Sequence, residues 1–61
     1  MAQLNQLELQ NLRHLIGAHD TISAKLNDYA SSCQDMQVKQ MFQQAANSSK
    51  QTAQQLMGFL Q

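Results

Sequence analysis

Apolar residues recur along the first half of the chain at spacings of three, four and seven. Leu12, Leu15, Ile22, Leu26, Tyr29 and Cys33 mark the stripe, and Ile16 and Ala30 widen it. This period matches the α-helical turn and predicts an amphipathic helix over about residues 4–32. Extending the stripe takes in Glu8 and His19, its only ionisable members. A second helix is predicted over about residues 36–60, with Val38, Met41, Phe42, Ala45, Ser49, Thr52, Ala53, Leu56 and Leu60 on its inner face. The ends of this second stripe are large and its middle is small, which lets two helix backbones approach closely.

Between the stripes lies S-S-C-Q-D, residues 31–35. Asp35 is the expected N-cap of the second helix, because a carboxylate there accepts bonds from free backbone N–H groups and suits the positive end of the helix dipole. Ser32-x-x-Asp35 offers a capping box one turn earlier. There is no proline, and the one interior glycine of the first helix, Gly17, costs about 1 kcal/mol against alanine. Asp20 could cap a fresh start after it, but the stripe keeps its phase across Gly17, so one continuous helix is expected.

The resulting fold is all-α: a single domain, residues 1–61, folded as an antiparallel two-helix hairpin with its turn at about residues 33–35. A turn there sets residue i roughly level with residue 67 − i. His19 then lies beside Ser48 and Ser49, Leu15 beside Thr52, and Glu8 near Phe59 at the open end. A hairpin with an apolar face on each helix cannot cover both, so two hairpins are expected to form a two-fold homodimer, a four-helix bundle. If the first helix packs antiparallel against its own copy, His19 meets His19 at the axis.

Composition supports assembly. A chain of 61 residues buries only about 60% of its unfolded surface, and with one cysteine it has no disulfide to compensate. The chain begins with Met and reads as a whole small protein without a secretory signal. Four basic and four acidic residues give zero net charge, which argues against nucleic acid or an anionic membrane as the main partner. There is no apolar run long enough to cross a membrane. A single cysteine fits a reducing, cytoplasmic setting. Twelve Gln and four Asn residues suggest low complexity, but the regular apolar stripe between them argues for helix.

Candidate chemistry is sparse. His19 is expected to bond a neighbouring hydroxyl, from Ser48 or Ser49, or water at the edge of the core; a metal or pH-responsive role across the dimer axis is the alternative, yet two histidines are too few for a closed zinc site. Glu8 stands eleven residues from it, roughly 16 Å along one helix, so the two cannot share a metal within one chain. His14 and Arg13 are expected to face solvent. Cys33 has no base or acid placed to activate it. No catalytic residues and no cofactor are expected.

Three segments, E-L-Q-N-L-R-H-L-I-G-A-H, Y-A-S-S-C-Q-D and K-Q-M-F-Q-Q-A-A, resemble the small spore-coat-protein-F-like proteins of spore-forming Firmicutes, clostridial types in particular. Members of that family are similar to half of a ferritin-like four-helix bundle. The resemblance implies a structural, non-enzymatic protein linked to sporulation, with other spore-coat proteins as further partners. Relatives often carry Pro where this chain has Met36, a position in the first helical turn where Pro is also tolerated. Relatives also tend to carry His or Glu where this chain reads N-S-S-K-Q-T-A, so no metal ligand carries over by position. A degenerate metal binder at the dimer interface is the first alternative. An RNA-binding hairpin dimer of the repressor-of-primer type is the weaker one, since Arg13 and Lys25 are the only basic residues of the first helix.

Overall fold

The computed structural model describes residues 3–60. Helix α1 spans Gln6–Ser32 and helix α2 spans Met36–Met57, followed by a 3-10 turn at Gly58–Leu60. The two helices form the expected antiparallel hairpin, elongated to 46 × 16 × 12 Å.

Each helix starts on a side-chain cap. Asp35 accepts from the backbone N–H groups of Gln37 and Val38 at 2.9 and 3.0 Å. This is the predicted N-cap, and it leaves only 33–35 outside the helices. Ser32 takes no part in it. Ser32 is the last residue of α1, and its hydroxyl donates back to the Asp28 carbonyl at 3.4 Å. Inside a helical turn the nearest free acceptor is the carbonyl four residues back, so the hydroxyl points away from α2. Ser31 donates the same way to Asp28 at 2.8 Å.

Helix α1 begins on a reciprocal capping box beyond the caps expected at the turn. The Asn5 side chain accepts from the Glu8 N–H at 2.7 Å, and the Glu8 carboxylate accepts from the Asn5 N–H at 3.1 Å. The pattern N-x-x-E just ahead of an apolar run was the available signal. The Asn5 and Glu8 side chains therefore each tie one orphan N–H group. α1 runs unbroken through Gly17, and Asp20 lies within it rather than capping a new helix.

The helices meet along one seam. On α1 it comprises Leu9, Leu12, Ile16, His19, Ser23, Leu26, Ala30 and Cys33, every one buried or half-buried. On α2 it comprises Lys39, Phe42, Ala46, Ser49, Ala53 and Leu56, also buried or half-buried. The strict alternation of threes and fours is the heptad pattern of a coiled coil. Its most enclosed members are small: Ser23, Ala30, Ala46 and Ala53. The Ser23 hydroxyl donates to the backbone carbonyl of Ala46 across the seam at 2.9 Å. A side chain that short reaches the facing backbone only where the helices approach closely. The numbers of that pair sum to 69, so the register is about two residues from the 67 expected from the turn. Nearer the turn, the Tyr29 and Phe42 rings pack at 6.0 Å with a 55° tilt.

Candidate interaction face

The single stripe read from the sequence is two stripes in the structure. One residue before every second seam position on α1 stand Glu8, Leu15, Ile22 and Tyr29. On α2 the matching positions are Val38, Ala45, Thr52 and Phe59. In an antiparallel pair these two sets flank the seam on the same side, and Glu8, Leu15 and Phe59 indeed line one shared recess. Leu15, Ile22, Tyr29, Val38 and Phe59 are 49, 46, 56, 41 and 52% exposed. Ala45 is exposed as well, and Leu60, expected on the inner face, is 41% exposed in the 3-10 turn. Tyr29 leans on Phe42, but these residues leave much of their surface outside the hairpin, because the short side chains of the seam already bring the helices together. They form a continuous apolar strip along its length instead. The half-buried seam residues Leu26, Phe42, Ser49 and Leu56 border this strip. Leu12 and Ala53 are buried in the seam itself.

The opposite side of the hairpin carries Arg13, Asp20 and Asn27 on α1 and Gln43 and Lys50 on α2, all exposed. Met36 and Met57, also exposed, lie on the same line of α2 near its two ends. This side is polar along its middle, so the hairpin has one mainly polar side and one mainly apolar side.

Size points the same way. The chain exposes 4921 Å². A compact folded chain of 6.9 kDa exposes about 4,000 Å². The surplus of about 900 Å² is close to the roughly 800 Å² that each partner contributes to a standard interface. The radius of gyration, 14.2 Å, exceeds the roughly 10.5 Å of a compact domain of this length. Among the described residues no large side chain is fully buried.

The recess lies at the open end of the apolar side. Leu4, Glu8, Asn11, Leu12, Leu15 and Phe59 line it, and its surface is almost wholly apolar. Glu8 thus sits beside Phe59, as expected, with one carboxylate oxygen engaged by the capping box. At the turn end of the same side, Tyr29 and Met41 stand out from the helices, Met41 being 67% exposed.

His19 is half-buried at the midpoint of α1. Its Nδ1 is enclosed and has no hydrogen-bond partner within the hairpin. The hydroxyl partner expected from Ser48 or Ser49 is not made. Ser48 is exposed, and its carbonyl accepts from the Thr52 hydroxyl at 3.0 Å. His14 and Arg13 are exposed, and Cys33 is a half-buried free thiol at the turn. Among the described residues no three His, Cys, Asp or Glu side chains come together. No helix among them is long and apolar enough to cross a membrane. The functional feature that the geometry offers is a face rather than a pocket with chemistry. No protein-family model, curated protein or solved structure matches the chain.

Proposed function

We propose that the protein is a non-enzymatic structural or assembly protein whose working form is a homodimeric four-helix bundle, two hairpins closed over their apolar sides. The observation that carries this reading is the strip from Glu8 and Phe59 to Tyr29 and Val38 along one side of the hairpin, in a chain that exposes about 900 Å² more than a compact chain of its mass. A second copy is the natural occupant, because two such strips are equal in length and chemistry. Sedimentation equilibrium across micromolar concentrations tests it. A dimer mass is expected, with Ile22→Glu shifting the equilibrium to monomer. A wild-type chain that stays monomeric and fully helical at high micromolar concentration overturns the reading.

The place of this assembly in the cell is proposed from the three segments that resemble spore-coat-protein-F-like sequences. On that ground the dimer acts in sporulation or the spore coat, with other coat proteins as further partners. Immunoblotting of cells through growth and sporulation, and of purified spore coats, is the test. Protein confined to vegetative cells and missing from coats would remove this part of the proposal.

One observation favours a metal-binding alternative: the unpartnered Nδ1 of His19 at the level where two copies would meet. Metal analysis of protein purified without chelator decides it. Metal retained stoichiometrically and lost in His19→Ala supports it, and metal-free helical dimer rejects it.

A further inference from the structure

Two arrangements bring the apolar sides of two hairpins together: turns at the same end, or turns at opposite ends. Resting on the dimer reading above, the geometry points to the second. The partner is a second copy lying antiparallel, α1 over the partner's α1, with Tyr29 of each hairpin seated in the open-end recess of the other beside the partner's Glu8.

The first reason is a symmetry in the sequence along the apolar side. His19 is the midpoint of Gln6–Ser32. Counting outward from there, Leu15 matches Ile22, Leu12 matches Leu26 and Glu8 matches Tyr29, each pair equidistant to within one residue. On α2 the same count about Ser49 matches Ala45 with Thr52, Phe42 with Leu56 and Val38 with Phe59. The two centres lie level in the hairpin, because the Ser23–Ala46 bond fixes the register at a sum near 69. One two-fold axis crossing both helices at right angles therefore satisfies both patterns at once. It sets Leu15 and Ile22 of one α1 against their counterparts on the other, and the small central residues of α2, Ala45, Ser49 and Thr52, against themselves.

The second reason is shape. The hairpin has a recess at its open end and a projection at its turn end, on the same side. With turns at opposite ends, each projection enters a recess, twice over by symmetry. With turns at the same end, recess faces recess and Tyr29 faces the partner's turn.

The third reason is polar chemistry. Glu8 and Asn11 are the polar members of the recess wall, and only one oxygen of Glu8 is used in capping. The Tyr29 phenol brings a hydroxyl donor to that wall, its ring filling the apolar part. In the same-end arrangement the group brought to the recess is the partner's Phe59, which has no donor. Closing a carboxylate under a bare ring leaves the acceptor unpaired and carries a desolvation cost.

The native cysteine reports on the orientation. Cys33 is fourteen residues beyond the axis level at His19, so with turns at opposite ends two Cys33 residues lie about 40 Å apart at 1.5 Å per residue. With turns at the same end they lie within about 20 Å, two helix spacings. Nitroxide labels on Cys33 of the full chain, read by pulsed dipolar spectroscopy, are expected to give the long distance. Because Cys33 is half-buried, the measurement is repeated with Gln34→Cys in a Cys33→Ala background. A short distance in a sedimentation-verified dimer overturns the antiparallel arrangement while leaving the dimer standing. A monomer in sedimentation overturns the dimer reading, and this inference with it.

Discussion

Replacing Ala46 with leucine probes the feature on which the hairpin depends. Ala46 is 0% exposed, and its carbonyl oxygen receives the Ser23 hydroxyl at 2.9 Å. Ser23 itself is 6% exposed. Leucine adds three heavy atoms at the point where one backbone already touches a side chain of the other helix. The helices must separate or turn, and overpacking of this kind costs about 1–3 kcal/mol. Separation also breaks the Ser23–Ala46 bond, for about 1 kcal/mol more. The expected loss is therefore about 2–4 kcal/mol. At about 4–8 °C per kcal/mol for a chain of this size, the melting temperature falls by roughly 10–30 °C. Circular dichroism at 222 nm, scanned at one fixed protein concentration because an assembling chain melts in a concentration-dependent way, reads the shift. Gln44→Leu, on the exposed back of α2, is the control and changes stability by no more than about 0.5 kcal/mol. If Ala46→Leu behaves like the control, the close approach of the helices is not what holds the hairpin.

Other outcomes follow from the same structure. Gly17→Ala stabilises the protein by about 1 kcal/mol in urea unfolding, since a Cβ there meets nothing within 4 Å and the helix gains propensity. Asp35→Ala removes the acceptor of two N–H bonds and costs about 1–2 kcal/mol by the same assay, with Asp35→Asn recovering most of it. Glu8→Ala opens the reciprocal cap and speeds hydrogen exchange in the first turn of α1, with little change in the global melting temperature, because that end is exposed. Tyr29→Ser weakens self-association in sedimentation more than it lowers the helicity of the isolated hairpin, because the ring is more than half exposed.

Much of this architecture was legible from period and punctuation. The phase of Leu12, Leu15, Ile22 and Leu26 across Gly17 gave one helix, and Asp35 after the serines gave the turn. What the period could not do was separate two stripes lying 60–100° apart on the same helix. Hydrophobicity marks Leu15, Ile22 and Tyr29 strongly, yet these are the exposed ones. The positions that bring the helices together are Ser23, Ala30, Ala46 and Ala53, whose merit is small volume; Ala30, Ala53 and the small middle of the second helix were legible, while Ser23 lay off the predicted stripe. Ser23 in particular reads as polar and is, among the described residues, the side chain that hydrogen-bonds across the seam. The Ser32 cap failed for a local reason, since its hydroxyl had a nearer carbonyl. Asn5 and Glu8 were legible as a capping pair from their spacing. His19 was placed correctly at the helix midpoint, but its expected hydroxyl partner depended on a register wrong by about two residues.

The turn has a kinetic consequence as well. Every cross-helix contact closes a loop through residues 33–35, and the loop lengthens steadily away from the turn. Tyr29 and Phe42 are 13 residues apart in sequence, Ser23 and Ala46 are 23 apart. Loop-closure entropy rises by only about 0.6 kcal/mol for each doubling of loop length, but it rises in one direction. The capped turn and its aromatic pair are thus the cheapest contacts to form first, and the hairpin closes from there like a zip, the serine bond checking the register halfway. The open end, where the recess lies, forms last and opens first. Amide protection should decline from the turn toward that end in a dilute hairpin and even out on dimerisation, so the surface that waits for a partner is also the one whose order the partner completes.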